Sequence, residues 1–168
     1  MTVTELMNAA DVTPAPDTYA GEVKTNFMIL GIAVEGTESD PTKYAVAAAH
    51  IKNLGAEIDA STEDSNYLYE GKFTTRIDAR RTFSLEGKRI VGDEFQDWAC
   101  SHAVKFGTGN DVIRDYVYFN ALTGEGEKGR LTINVTKDGS GEANNSADFA
   151  CSAFSNGAPE AYTYSATA

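Results

Sequence analysis

A chain of 168 residues with 42% hydrophobic and 23% charged side chains is long enough for one domain with a sizeable core, and too apolar for a disordered scaffold. Fourteen Lys and Arg against 25 Asp and Glu leave a formal charge of −11, which argues against a surface that grips nucleic-acid phosphates. The longest apolar run, residues 27–34 (FMILGIAV), falls short of the roughly 20 residues of a membrane helix, so no membrane partner is expected. The N-terminus shows no basic region followed by a continuous apolar one, so no secretory signal is expected either.

Residues 1–22 carry Pro14, Pro16 and Gly21, several acids and no base, with Val3, Leu6, Met7 and Val12 scattered among them. They read as an extended arm that orders only against another surface, with a disordered tail as the alternative, and residues 23–168 as a single domain. Residues 24–34 predict a strand buried on both faces, because Phe27, Met28, Ile29, Leu30, Ile32 and Val34 interrupt any alternation. Residues 44–60 (YAVAAAHIKNLGAEIDA) predict a long irregular strand, and STEDSN after it a polar exposed loop. Residues 73–86 give the cleanest period of two, with Phe73, Thr75, Ile77, Ala79, Phe83 and Leu85 on one side and only Arg81 out of place.

Asp93 is a candidate N-cap for one helix ending at Gly107, with Phe95, Trp98, Ala99, His102 and Phe106 on one stripe. Residues 113–122 and 130–136 predict a hairpin with the Gly-rich tip TGEGEKG, and residues 148–154 and 162–166 two closing strands. The fold class is therefore mainly β, a β-sandwich or barrel with one packed helix.

Catalytic patterns are missing. Ser101 and His102 are helix neighbours whose side chains point about 100° apart, which prevents a direct nucleophile–base hydrogen bond. His50 reads as an ordinary partly exposed ring. The acids Glu57, Asp59, Glu63 and Asp64 read as a solvated face rather than a metal site, and Gly124, Gly126 and Gly129 match no phosphate-binding fingerprint. No enzyme activity, cofactor or metal is expected. Cys100 and Cys151 lack a C-x-x-C partner, so two buried free thiols are expected. The basic residues Lys72, Arg76, Arg80, Arg81, Lys88 and Arg89 are the one positive concentration; Arg80, Arg81, Lys88 and Arg89 are candidates for salt bridges to acids of a neighbouring subunit.

The order of features is informative: a proline-bearing arm, an apolar strand, IKNLGAEIDA, an acidic segment, FTTRIDARRTFSLEGKRI, the helix GDEFQDWACSH, YVYFNALTG followed by GEGEKGRLTINVTKDG, and the closing SADFACSAFSNGAPEAYTYSA. Over nearly its whole length this resembles the major tail proteins, or tail tube proteins, of long non-contractile-tailed bacteriophages.

The resemblance implies a tail-tube-like β-sandwich subunit with extended N- and C-terminal arms, a homo-oligomer of hexameric rings stacked into a tube through which double-stranded DNA passes without specific binding. It implies tape measure, tail terminator and distal tail proteins as partners, and a place in the virion tail after assembly in the host cytoplasm. Residues 1–22 match the family's arm, 59–71 its long loop and 156–168 its terminal segment; arm, loop and terminal segment reach into adjacent subunits. Val3, Leu6, Met7 and Val12 become candidate arm contacts. Glu57, Asp59, Thr74, Arg76 and Asp78 are candidate lumen-facing residues, since an acidic channel should not hold phosphate. The alternative is an acidic β-sandwich binding module, a baseplate or carbohydrate- or protein-binding component, with Tyr67, Tyr69, Trp98, Tyr116 or Tyr118 as stacking residues.

Overall fold

A computed structural model describes residues 1–165. Its elements are α1 (Val3–Ala10), β1 (Met28–Ile32), β2 (Ala45–Val46), β3 (Ile51–Tyr67), β4 (Gly71–Lys88), α2 (Glu94–Ala99), α3 (His102–Phe106), β5 (Ile113–Asn120), β6 (Glu125–Ser140), β7 (Asp148–Ser155) and β8 (Glu160–Thr163). The strands form one antiparallel sheet in the order β2-β1-β5-β6-β7-β4-β3, with β8 also paired to β6.

The sheet is curled like an open barrel. Laid flat, β4 and β5 would stand three strand spacings apart, about 14 Å. Instead the Phe83 ring of β4 lies 5.1 Å from Tyr118 and 5.4 Å from Tyr116 of β5, both edge to face. Leu30, Ile32, Leu85, Leu131, Ile133 and Phe149 fill the concave side, and Phe95, Ala99 and Val104 of α2 and α3 pack into it. The strand expected over 24–34 is shorter, Met28–Ile32 after a 3-10 turn at Thr25–Phe27, but it is buried on both faces: Leu30 and Ile32 enter this core, while Ile29 and the following Ala33 join Val117, Phe119 and Tyr164 in a second one.

Several expectations are corrected. The N-terminal arm is not extended at its start. Thr2 and Glu5 form a reciprocal capping box that begins α1, and Asp11 ends it at φ 49°. Val3 and Met7, one helical turn apart, are buried in the second core of their own chain, and Leu6 and Val12 pack at its rim. Gly31 makes the approach possible, since a Cβ there would sit 2.8 Å from Val3 Cγ2. The other end behaves alike: within residues 156–168, β8 pairs with β6 and Tyr164 stacks on Phe119 with ring centroids 5.2 Å apart. Of the strand expected at 162–166, residue 166 lies outside the described residues.

The single helix expected from Asp93 to Gly107 is two short ones. Asp93 caps the first as expected, but Ser101 takes extended dihedrals (φ −65°, ψ 150°) and restarts the chain direction. Val104 is thereby buried, whereas His102 and Phe106, expected on the apolar stripe, are exposed. The strand expected over 44–60 is split by a turn with His50 at φ 55°. The glycine-rich stretch expected as a hairpin tip is largely strand β6. Gly126 is required there because a Cβ would collide with the Tyr118 carbonyl and Phe119 of β5.

If α1 belongs to its own subunit, Met7→Ala should destabilise the unassembled chain by about 2–3 kcal/mol in urea unfolding. An unchanged midpoint would mean that the helix is not packed in the isolated subunit.

Candidate functional site

The segment 59–71, expected as a loop, is the end of a long β-hairpin. β3 and β4 pair from Ile51 and Gly87 to Tyr67 and Gly71, turning through Leu68, Tyr69 and Glu70. β7 accompanies β4 only over Thr82–Lys88. Beyond Thr82 the two strands continue alone as a ribbon of about 35 Å, estimated from eleven residues of β4. The expectation failed because hydrophilic residues such as STEDSN suit a ribbon exposed on both faces as well as they suit a loop.

Exposed apolar groups line this ribbon: Ile58, Tyr67, Phe73 and Ile77 along it, Leu68 and Tyr69 at the tip with 88% and 94% of their surface accessible. Tyr67 meets Phe73 edge to face at 5.6 Å. Among the described residues, the whole outer edge of β3 has no strand beside it. A long unpaired edge with apolar groups is what monomeric proteins blunt or cover.

A bulge changes the face assignments. Ala60 is opposite Ala79 but Thr62 is opposite Arg76, so β4 uses one residue more than β3 and its alternation inverts near Ile77. The period over 73–86, broken in the sequence only at Arg81, thus spans two faces. Glu57 pairs with Thr82, Asp59 with Arg80 and Ser61 with Asp78, which places Glu57, Asp59 and Asp78 on one face. Thr74, opposite Asp64, and Arg76, opposite Thr62, are on the other. The five candidate lumen residues are therefore two sets. The first set continues the convex side of the sheet, where Thr82, Ser84, Asn134 and Ser152 are small polar residues at paired positions.

The four bases expected to bridge subunits have partners in their own chain. Arg80 pairs with Asp59 at 3.2 Å, Arg89 with Asp97 at 3.1 Å, and Lys88 with Asp148. Arg81, the residue out of place in the period of two, reaches across the concave side: its Nε and Nη2 donate to both Glu127 carboxylate oxygens at 2.6 and 3.0 Å. Its guanidinium lies 5.4 Å from the Tyr118 ring centre. The pair is half-buried and ties β4 to β6 where β7 ends. Acidic segments close in space but distant in sequence could not be foreseen from composition.

Sequence reasoning missed Gln96. Fully buried, it accepts from the Ile90 amide at 3.0 Å and donates to the carbonyls of Ala49 and Lys88 at 2.9 and 3.0 Å, locking α2 to the base of the hairpin. A glutamine on an otherwise apolar helix stripe is the signal available in the sequence. The stacking residues of the alternative reading are dispersed: Tyr116 and Tyr118 are core, Trp98 is half-buried beneath Arg114, and Tyr67 and Tyr69 are at the tip. Burial pushes the Tyr116 hydroxyl pKa up. Cys100 and Cys151 are free thiols, but of the two expected to be buried only Cys151 is, Cys100 being half-buried; burial pushes the Cys151 thiol up to about 12. No group of three or more metal-ligating side chains occurs among the described residues.

The curled sheet, its accompanying helices and its projecting hairpin make a β-rich fold that also occurs in virion tails. It is shared with a chain from the tail of an empty gene transfer agent particle, determined by helical refinement with C6 symmetry. The two are 15% identical, with 85% of this chain and 100% of that one covered, at a TM-score of 0.64. A chain from the virion of a native gene transfer agent particle is also similar: 12% identity, 84% and 100% coverage, TM-score 0.60. No family model and no curated protein matches the sequence. At these identities the likeness is one of fold, and it agrees with the tail-protein resemblance read from the order of sequence features.

Arg81→Met should cost about 1–3 kcal/mol by leaving Glu127 half-buried without its partner, and adding Glu127→Leu should recover most of it. Urea unfolding of the three proteins measures this, and additive losses would contradict it. A second expectation concerns acid. Hydrogen bonds from Lys88 to Asp148 and from Lys105 to Asp138 hold both carboxyls below the ordinary value of 3.8. Their contribution is complete above the unfolded pKa and lost as pH falls through the folded one. The melting temperature of the unassembled chain should fall below about pH 4, and less steeply in Asp138→Asn/Asp148→Asn.

Proposed function

We propose that the chain is a structural subunit of a virion tail of the bacteriophage type, which self-assembles into hexameric rings stacked as a tail tube and performs no catalysis. The observation that carries this is the projecting hairpin: a ribbon with an unpaired edge and exposed apolar side chains has its natural complement in copies of the same chain. The fold shared with a C6-symmetric tail supports six copies per ring.

In this reading the convex face carrying Glu57, Asp59 and Asp78 meets the channel. It offers carboxylates and short polar groups, and Arg80, its one long base on the ribbon, is engaged by Asp59. Double-stranded DNA passing into the host would find repulsion from these carboxylates, with the Arg80 guanidinium beside them already engaged. Assembly would occur in the host cytoplasm, with tape measure, tail terminator and distal tail proteins setting length and ends.

The purified chain, viewed by negative-stain electron microscopy at low and moderate salt with mass measured on the same samples, should form rings or hollow tubes. A closed 18 kDa species under all conditions would overturn the proposal. Particles built with Glu57→Lys/Asp59→Lys should assemble yet eject DNA more slowly than wild type; equal ejection would refute the channel assignment.

A further inference from the structure

The two ends of the hairpin differ in charge. Around its tip, residues 63–72 hold Glu63, Asp64 and Glu70 against the single base Lys72, which already pairs with Asp64 at 2.9 Å. At its base, Lys52, Lys88 and Lys137 line one shallow pocket with Glu86 and Asp148. Lys88 is paired with Asp148, while Lys52 and Lys137 have no ion-pair partner among the described residues. In a chain of charge −11, a spot where lysines outnumber acids is an exception.

Beside this spot lies an apolar groove of about 450 Å³, walled by Met28, Leu30, Val46, Ala47, Ile51 and Leu54, with Lys52 on its lining. It occupies the seam where the curled sheet fails to close. β2 pairs only with Gly31 and Ile32 of β1, and the Ala47 amide donates to the Leu30 carbonyl, which leaves Met28 and Ile29 without a strand on that side among the described residues. The tip of the same chain cannot fill it, because thirteen residues of strand separate Leu54 from Tyr67, about 40 Å.

We infer that this groove and the adjacent Lys52 and Lys137 receive the hairpin tip of a second copy of the chain, Leu68 and Tyr69 entering the groove while Glu63 and Glu70 meet the lysines. The inference rests on the tail-subunit reading and names the surface by which one copy engages the next. Complementarity is twofold: an exposed apolar tip for an open apolar groove, and acids for unpaired bases. Head-to-tail contacts of this kind are heterologous and propagate, as a stack requires.

The test is a charge exchange on the full chain. Lys52→Glu/Lys137→Glu, and separately Glu63→Lys/Glu70→Lys, should keep the wild-type circular dichroism and raise the critical concentration for polymerisation about tenfold, as repulsion replaces attraction. The quadruple variant carrying both changes should return to near wild-type polymerisation, a recovery that a merely structural role of these residues would not give. Sedimentation with electron microscopy reads the result. Either double variant stacking as readily as wild type, or a folded quadruple variant without recovery, overturns the docking while rings leave the tail-subunit reading standing. A wild-type chain that never associates overturns both.

Discussion

One continuous strand, β4, belongs to two structures. Its residues Thr82–Lys88 are held between β3 and β7 inside the curled sheet, whereas its outer residues have β3 alone beside them. The backbone groups on the far edge of β3 are therefore left to water or to another chain. Everything distinctive about the molecule follows from how firmly the inner part is fixed: Phe83 and Leu85 lock it into the core, Arg81 ties it to Glu127 at the exit, and Gln96 pins the base of the hairpin from α2.

That anchoring gives the ribbon a defined direction. An extended ribbon of two strands has little core of its own and gains most when another surface covers it. The acidic balance of the chain works against indiscriminate association, since copies repel over about 8–10 Å at ordinary salt. Repulsion with a few local attractions favours one geometry of contact over many. In a repeating assembly both the exposed hairpin and the excess of acid are useful.

Much of the fold is legible in the sequence. The apolar run FMILGIAV pointed to a strand buried on both sides, found at Met28–Ile32, and Asp93 marked the start of a helix. What was hidden depended on contacts between distant segments. Thr2 and Glu5 form a capping box visible in the sequence, yet the prolines and acids that follow suggested an arm. The burial of Val3 depends on Gly31, some thirty residues away. The inversion of faces at Ile77 is invisible because a bulge is set by the partner strand, so an alternation from Phe73 to Glu86 broken only by Arg81 read as one face. The bases Arg80, Arg81, Lys88 and Arg89 were recognised as ion-pair formers, but their acids lay in the same chain.

Whether other copies cover the hairpin is read by hydrogen exchange with mass spectrometry on the assembled and unassembled protein. Amides of residues 58–67 and the tip should exchange quickly in the single chain and be strongly protected in the assembly, while the core strands β5 and β7 change little. Equally fast exchange of the ribbon in both forms would contradict coverage by other copies.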